Sequence, residues 1–389
     1  MFSFDKNEYL QRLQNVKAKM AERGLDVLLI TDPANIAYIS GYNSWSFYVH
    51  QMLVVMIDEE EPVWIGRFMD AISARKTCWL KHENIVGYSD NYVQSDVRHP
   101  MDFVAEELIK RGKGNKAIAV EMDNYYFTAQ CFASLTKGLP NCKFTDAKGL
   151  VNWVRVIKSE NEIALMERAA RIMEKGMQDA INKCNVGVRE CDLAAEIYRS
   201  FITGTEEFGG DYASIVPLMP SGENTGACHL TWTDRKYQEG ETVVLELAGC
   251  HQRYHSPMAR TIFLGTPTQK LADTAEITVE GLNKVLDFIK PGVTAEEVEA
   301  VWSDNLKKYG LFKESRIGYS TGLNYPPDWG EHTISVRPGD KTVLQPNMTL
   351  HIIPGMYFEN YGVEISEAIR VTENGCKTLA NFERKLFVK

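Results

Sequence analysis

Thr242-Val-Val-Leu-Glu246-Leu-Ala-Gly, followed by His251-Gln-Arg-Tyr-His255-Ser-Pro257-Met-Ala-Arg-Thr-Ile, reads as two strands joined by a polar turn. The first strand is apolar except at Glu246. A carboxylate in such a strand is costly to bury, so it needs a cationic partner or must keep its proton. That makes Glu246 the first candidate functional residue. A second hairpin is expected over 348–372. It contains Leu350-His351-Ile-Ile353-Pro-Gly-Met and Gly362-Val-Glu364-Ile-Ser366-Glu-Ala-Ile. Between the two lie Gly318-Tyr319-Ser-Thr-Gly-Leu and Asn324-Tyr-Pro-Pro-Asp328-Trp329-Gly-Glu331.

The two hairpins end the halves of an internal repeat. Glu174-Lys-Gly176-Met-Gln-Asp-Ala-Ile-Asn-Lys-Cys-Asn-Val-Gly187-Val aligns without gaps to Val279-Glu-Gly281-Leu-Asn-Lys-Val-Leu-Asp-Phe-Ile-Lys-Pro-Gly292-Val. Both glycine pairs and the apolar positions match, and each copy leads into another amphipathic helix. A duplicated half that pairs with its copy predicts a pseudo-two-fold α+β domain with one pocket between the halves. Its first helix is expected to start at Ser159, which makes a capping box with Glu162. The methionines and other apolar residues that follow at helical spacing are core filling.

Upstream, apolar runs at Asp26-Val-Leu-Leu-Ile, Met52-Leu-Val-Val-Met-Ile, Pro62-Val-Trp-Ile and Ala117-Ile-Ala-Val alternate with helical spacing, which predicts an α/β domain. At 389 residues the chain calls for two domains. They are read as 1–157 and 158–389. No glycine-rich loop follows any of these strands, so no nucleotide site is expected. A net charge of −9 disfavours nucleic acid and anionic membrane as partners. No apolar run approaches the roughly 20 residues of a membrane span. The start shows no signal-peptide pattern, so a cytoplasmic protein is expected, with its 8 cysteines reduced.

The order of these segments resembles the pita-bread fold of methionine and Xaa-Pro aminopeptidases. The family's dimetal ligands are Asp, Asp, His, Glu and Glu. The matching positions here are Glu246, Pro257, Tyr319, Ile353 and Ser366. One carboxylate with a proline, a phenol, an isoleucine and a serine cannot hold a hard divalent ion, so no metal or other cofactor is expected. Creatinases and ectoine hydrolases are the metal-free members. The ectoine hydrolases match best, through Gly41-Tyr-Asn-Ser-Trp45-Ser-Phe47-Tyr48, Val120-Glu-Met-Asp-Asn-Tyr-Tyr, Cys228-His229-Leu-Thr-Trp and the Asp328-Trp329 segment. The resemblance extends from Tyr9 to Lys389.

If the former ligand positions point into one cavity, strand alternation turns Glu246, His255, His351 and Glu364 into it as well. The resemblance implies hydrolytic opening of the cyclic amidine of ectoine to N-acetyl-L-2,4-diaminobutyrate. Glu246 would grip the amidinium or attack its carbon, and His229 and His255 would move protons. Tyr319, Trp329 and Phe47 would wall the ring, with Trp45, Asp328, His351 and Glu364 also at the substrate. A creatinase-like homodimer would supply Phe47 from the other subunit. A creatinase-type amidinohydrolase is the alternative, weakened because Val49 stands where the creatinase arginine follows that phenylalanine. A metal-dependent Xaa-Pro peptidase and a binding-only pita-bread module are further alternatives. His251 and His99 are read as solvated loop residues, and Glu239, Glu241 and Glu296 as solvated turn or cap residues.

Overall fold

The computed structural model describes residues 4–389. The chain divides into two compact units between Arg155 and Val156, two residues before the expected boundary. In the N-terminal unit, β1 (Val27–Ile30), β2 (Met52–Met56), β3 (Val63–Arg67), β4 (Ile85–Tyr88), β5 (Ala117–Val120) and β6 (Lys143–Asp146) form one sheet in the order β4-β3-β2-β1-β5-β6. β2 runs antiparallel to β1 and β3, and the remaining neighbours are parallel. The helices are α1 (Lys6–Glu22), α2 (Pro33–Ser40), α3 (Ala71–Thr77), α4 (Pro100–Lys110), α5 (Ala129–Gly138) and α6 (Leu150–Val154). α4 and α5 pack Met101, Val104, Leu108, Cys131 and Leu135 against Val27, Leu29 and Val54 of the sheet. That explains the unbroken apolar runs of the central strands, which are covered on both faces. α2 opens on an Asp32 cap with Pro33 in its first turn, and stops at Gly41 with φ of 76°. The aromatic segment from Tyr42 to Tyr48 follows that stop.

In the C-terminal unit, α7 (Glu160–Lys183) opens on the expected Ser159–Glu162 capping box. It is followed by α8 (Glu190–Thr203), β7 (Thr242–His251), β8 (Tyr254–Phe263), α9 (Gln269–Phe288) and α10 (Ala295–Lys307). The repeat is visible in what its glycines do. A Cβ on Gly176 would collide with the Phe201 ring of α8, and a Cβ on Gly281 with the Trp302 ring of α10. Both helix pairs thus close by seating an aromatic ring on a bare backbone. The second glycine of each copy, Gly187 or Gly292, sits at φ 85° or 92°, which other residues rarely adopt.

β7 and β8 pair over their full length, with Glu246 opposite Ala259, Ala248 opposite Pro257 and Cys250 opposite His255. A second sheet contains β9 (Gly318–Thr321), β10 (Gly330–Ser335), β11 (Thr349–Ile352), β14 (Glu367–Val371) and β15 (Cys376–Thr378), in the order β10-β9-β11-β14-β15. The expected 348–372 hairpin is interrupted. Ile353-Pro354-Gly355 breaks the ladder after β11, because proline has no N–H to continue it. The chain then makes a separate small hairpin from β12 (Met356–Tyr357) and β13 (Gly362–Val363) before pairing resumes at β14. β16 (Leu386–Val388) adds to the edge of β8.

The two sheets are stitched together at their inner edges. The Ser366 N–H donates to Ala259 O at 3.1 Å, and the Ala259 N–H donates to Ser366 Oγ at 2.6 Å. Thr261 Oγ1 donates to Glu364 O at 2.9 Å and accepts from the Glu364 N–H at 2.8 Å. Gly281→Ala should lower the denaturant midpoint of the C-terminal unit by the equivalent of ~1–3 kcal/mol, the usual cost of overpacking. An unchanged unfolding curve would mean that the α9–α10 contact has room for a methyl group.

Candidate active site

Glu246 comes from the first half of the C-terminal unit and Glu364 from the second. Both are buried, Glu364 completely. Burial raises the Glu364 pKa to about 7, against the lowering effects of the Tyr357 phenol and the Lys313 ammonium. Burial also pushes Glu246 well above the carboxylate range, and the charges of Glu364 and Asp328 push it further. Although Tyr357 approaches it, Glu364 has no well-formed hydrogen bond on either oxygen. Such a pair shares protons at neutral pH and invites a cation with several N–H donors.

Two of the five positions matching the family's ligands, Tyr319 and Ser366, are linked through His351. Tyr319 Oη accepts from Trp329 Nε1 at 2.8 Å and contacts His351 Nδ1 at 2.9 Å. His351 Nε2 reaches Ser366 Oγ at 2.7 Å. Tyr319 and His351 are direct neighbours across β9 and β11, with rings perpendicular at 5.3 Å between centroids. Burial, aided by the Arg316 charge, holds His351 near pKa 3, so its imidazole is neutral. Desolvation and the charge of Glu246 hold the Tyr319 phenol protonated.

Two expected roles change. His255 is fully buried. Its Nε2 accepts the Ser214 N–H at 3.0 Å, and its Nδ1 faces Gly322 O at 3.4 Å. Burial and the Arg253 charge also hold its pKa well below the usual value. With both nitrogens engaged by the fold it anchors the Ser214 loop, and it is no proton carrier. Trp329 is buried too. Its indole orients the Tyr319 phenol, and the residue is no exposed wall of the pocket. Asp328 stays ionised, its pKa lowered by His332 Nε2 at 3.0 Å and by the Gly330 N–H against the effect of burial.

His229 is exposed on the loop after the 3-10 turn Gly222–Gly226. The preceding residue, Cys228, is raised by burial and then by the charges of Glu364 and Glu246, which places it beside the pair. Phe47 and Trp45 belong to the N-terminal unit. Phe47 is half-buried between Trp45, at 4.7 Å, and Tyr126, at 5.7 Å, while Trp45 is 57% exposed. His251 is not solvated as expected: it is buried against Phe208, with Nδ1 at 3.0 Å from Gly209 O. His99 caps α4 through Met101 N–H, in a capping box with Asp102. Glu241 also has partners, the Arg235 guanidinium and the Gln238 N–H.

The sequence reading missed Lys313, Arg316, Tyr357 and Cys228. Arg316 stands over the Tyr319 ring at 4.5 Å and Lys313 over the Tyr357 ring at 5.1 Å. Strand parity from Ile353 would have flagged Tyr357, and adjacency to His229 would have flagged Cys228. Nothing in the pattern marks the two cations, which lie in the irregular stretch before β9.

The family's five metal positions do not fit a metal. Glu246 offers one carboxylate, Pro257 and Ile353 offer no donor, and the Tyr319 and Ser366 hydroxyls already bond to His351. Among the described residues, three potential ligands converge only in the N-terminal unit, at His50, His99 and Cys131. There His99 Nδ1 is already used by the α4 cap.

Residues 164–373 match the model of metallopeptidase family M24, and residues 12–157 that of the creatinase/prolidase N-terminal domain. The chain is 44% identical to an ectoine hydrolase of Halomonas elongata, over 99% of this chain and 98% of that one. It is also 44% identical to an uncharacterized hydrolase/peptidase of Sinorhizobium fredii, again over 99% and 98%. A prolidase structure from Thermococcus sibiricus superposes with a TM-score of 0.85 over 98% of this chain and 99% of that one, at 22% identity, a likeness of fold alone.

A group whose pKa rises on folding contributes stability fully present below its unfolded value and lost as pH rises through its folded value. For Glu364 that window runs from 4.5 to about 7. His351 is depressed, so its contribution is present above 6.5 and lost as pH falls toward about 3. The two oppose each other in the overlap, so the difference between proteins is the clean measure. The stability of the unliganded protein relative to Glu364→Gln should fall by up to ~1.4 kcal/mol per pH unit across that window. A pH-independent difference would show that Glu364 is ionised throughout.

Proposed function

The chain is a hydrolase of metallopeptidase family M24 with a creatinase/prolidase N-terminal domain, and we propose that it opens the cyclic amidine ring of ectoine to N-acetyl-L-2,4-diaminobutyrate without a bound metal. The observation that carries this reading is the buried Glu246–Glu364 pair, one carboxylate from each half, with orphaned oxygens on Glu364. An amidinium is planar and cationic, presents parallel N–H donors, and already has an electrophilic carbon. A peptide amide lacks that charge, and the metal Lewis acid that could activate it is one the donor set here cannot hold. The relationship to the Halomonas elongata ectoine hydrolase supports the same substrate.

In this reading the ligand enters as a zwitterion. Its amidinium displaces the shared proton and ionises both carboxylates. Its carboxylate meets the Arg316 guanidinium, which is exposed above Tyr319. Glu246 holds the amidinium or attacks its carbon. His229, on the loop that brings Cys228 to the pair, exchanges protons at the mouth of the site. We further propose a homodimer in which the exposed Trp45 and Tyr48, with Phe47, approach the other subunit's site.

Purified protein given ectoine should form N-acetyl-diaminobutyrate, followed by mass spectrometry, at a rate unchanged by chelator. Creatine in a parallel assay tests the guanidino alternative. Near-stoichiometric manganese, cobalt or zinc, with activity lost on chelation, would overturn the metal-free reading. His229→Ala should cost ~10²–10⁴-fold in turnover. Glu246→Gln should abolish turnover if the carboxylate attacks carbon, or weaken binding by ~1.5–3 kcal/mol if it only holds charge. Native-like melting together with near-normal turnover would remove both residues from the chemistry. Light scattering should give a dimer, and a fully active monomer would contradict the shared site.

A further inference from the structure

We propose that Ser366, His351 and Tyr319 form a neutral proton relay whose two hydroxyl ends open beside Glu246. The proposal deepens the reading above and rests on it for the identity of the substrate, while the relay itself is read from the hydrogen bonds around a buried, neutral His351.

Two donors in the chain are fixed. Trp329 Nε1–H can only donate, and it does so to Tyr319 Oη at 2.8 Å. The Ala259 N–H can only donate, and it does so to Ser366 Oγ at 2.6 Å. Between these ends stands His351, buried and neutral, with one N–H and one lone pair. The proton count then allows two arrangements. In one, Tyr319 O–H donates to Nδ1, Nε2–H donates to Ser366 Oγ, and the Ser366 hydrogen is free. In the other, Ser366 O–H donates to Nε2, Nδ1–H donates to Tyr319 Oη, and the Tyr319 hydrogen is free. Every contact in the chain, at 2.9 and 2.7 Å, serves either arrangement without movement of a heavy atom.

Each end is linked to Glu246 by one observation. Ser366 is bonded to Ala259, the cross-strand neighbour of Glu246. The Tyr319 phenol responds to the Glu246 charge. Hydrolysis of the amidinium turns the water oxygen into the amide carbonyl, breaks one C–N bond and moves both water protons to the departing nitrogen, which leaves as an ammonium. The ionised Glu246–Glu364 pair takes one of those protons from water and returns it to the nitrogen, and the relay carries the other. Ser366 gives its proton to the nitrogen and takes the Nε2 proton. Nδ1 takes the Tyr319 proton, and Tyr319 Oη takes one from water. The chain ends in its other arrangement with its charge unchanged, and the reverse shift, in which Ser366 takes a proton from water and Tyr319 gives one up to water, resets it for the next turnover. His351 is therefore a positioning residue that acts through two hydroxyls.

The first test needs no substrate. In protein labelled with 15N-histidine, both His351 nitrogens should resonate at shifts averaged between protonated and unprotonated forms. Tyr319→Phe or Ser366→Ala should each collapse them to a single tautomer. A single tautomer in the unmodified protein would overturn the relay. The second test is kinetic. Each single variant should lower kcat by about 10²-fold or more with little change in KM, and the double variant should be no worse than either single. The proton inventory of kcat should be curved in the unmodified protein and straight in either variant. Multiplying losses with a straight inventory throughout would assign the two hydroxyls independent roles. Averaged shifts without ectoine turnover would sink the proposed substrate and leave the relay standing.

Discussion

Two carboxylates buried side by side are the constraint around which the C-terminal unit is organised. Each loses its hydration, and each raises the cost of charging the other. A flexible domain would turn them out to water. Here Glu246 is fixed in the middle of a ten-residue strand paired along its whole length. Glu364 is held by both of its backbone groups on Thr261. Rigidity of this kind comes from the helix layer, where the Gly176–Phe201 and Gly281–Trp302 contacts bring the paired helices close. The site stores unfavourable electrostatics that a suitable cation relieves, and the fold supplies the stiffness that prevents relief by other means.

Much of this was legible in the sequence because it rests on short-range rules. Glu246 stood out as the one charge in an apolar strand, and full-length pairing of β7 and β8 kept its register. The repeated glycines pointed to a duplicated half, and the fold gives the first of each pair a steric reason and the second a left-handed backbone. The Ser159 capping box located the first helix of the C-terminal unit correctly.

What was not legible depended on partners distant in the chain. His255 looked like a proton carrier because parity turned it inward. Only the fold shows that Ser214 and the Gly322 carbonyl take both of its nitrogens. Trp329 looked like a ring wall, yet its indole supports Tyr319 from behind. Lys313 and Arg316 lie in irregular backbone, where no periodicity reports on which way a side chain points. Pro354 was visible as a residue, but its effect was not: it ended one hairpin early and created another that carries Tyr357.

The bonding of Ser366 also bears on descent. A carboxylate at 366 would still accept the Ala259 N–H, but it would lose the hydroxyl proton that Ser366 offers His351 and would set a third acid beside Glu246 and Glu364. Restoring a histidine at 319 would strip Trp329 of its acceptor. Neither change recovers a metal by itself, and each costs stability before any ion binds. Any substitution that would offer a metal ligand at either position therefore disturbs this bonding before an ion is held.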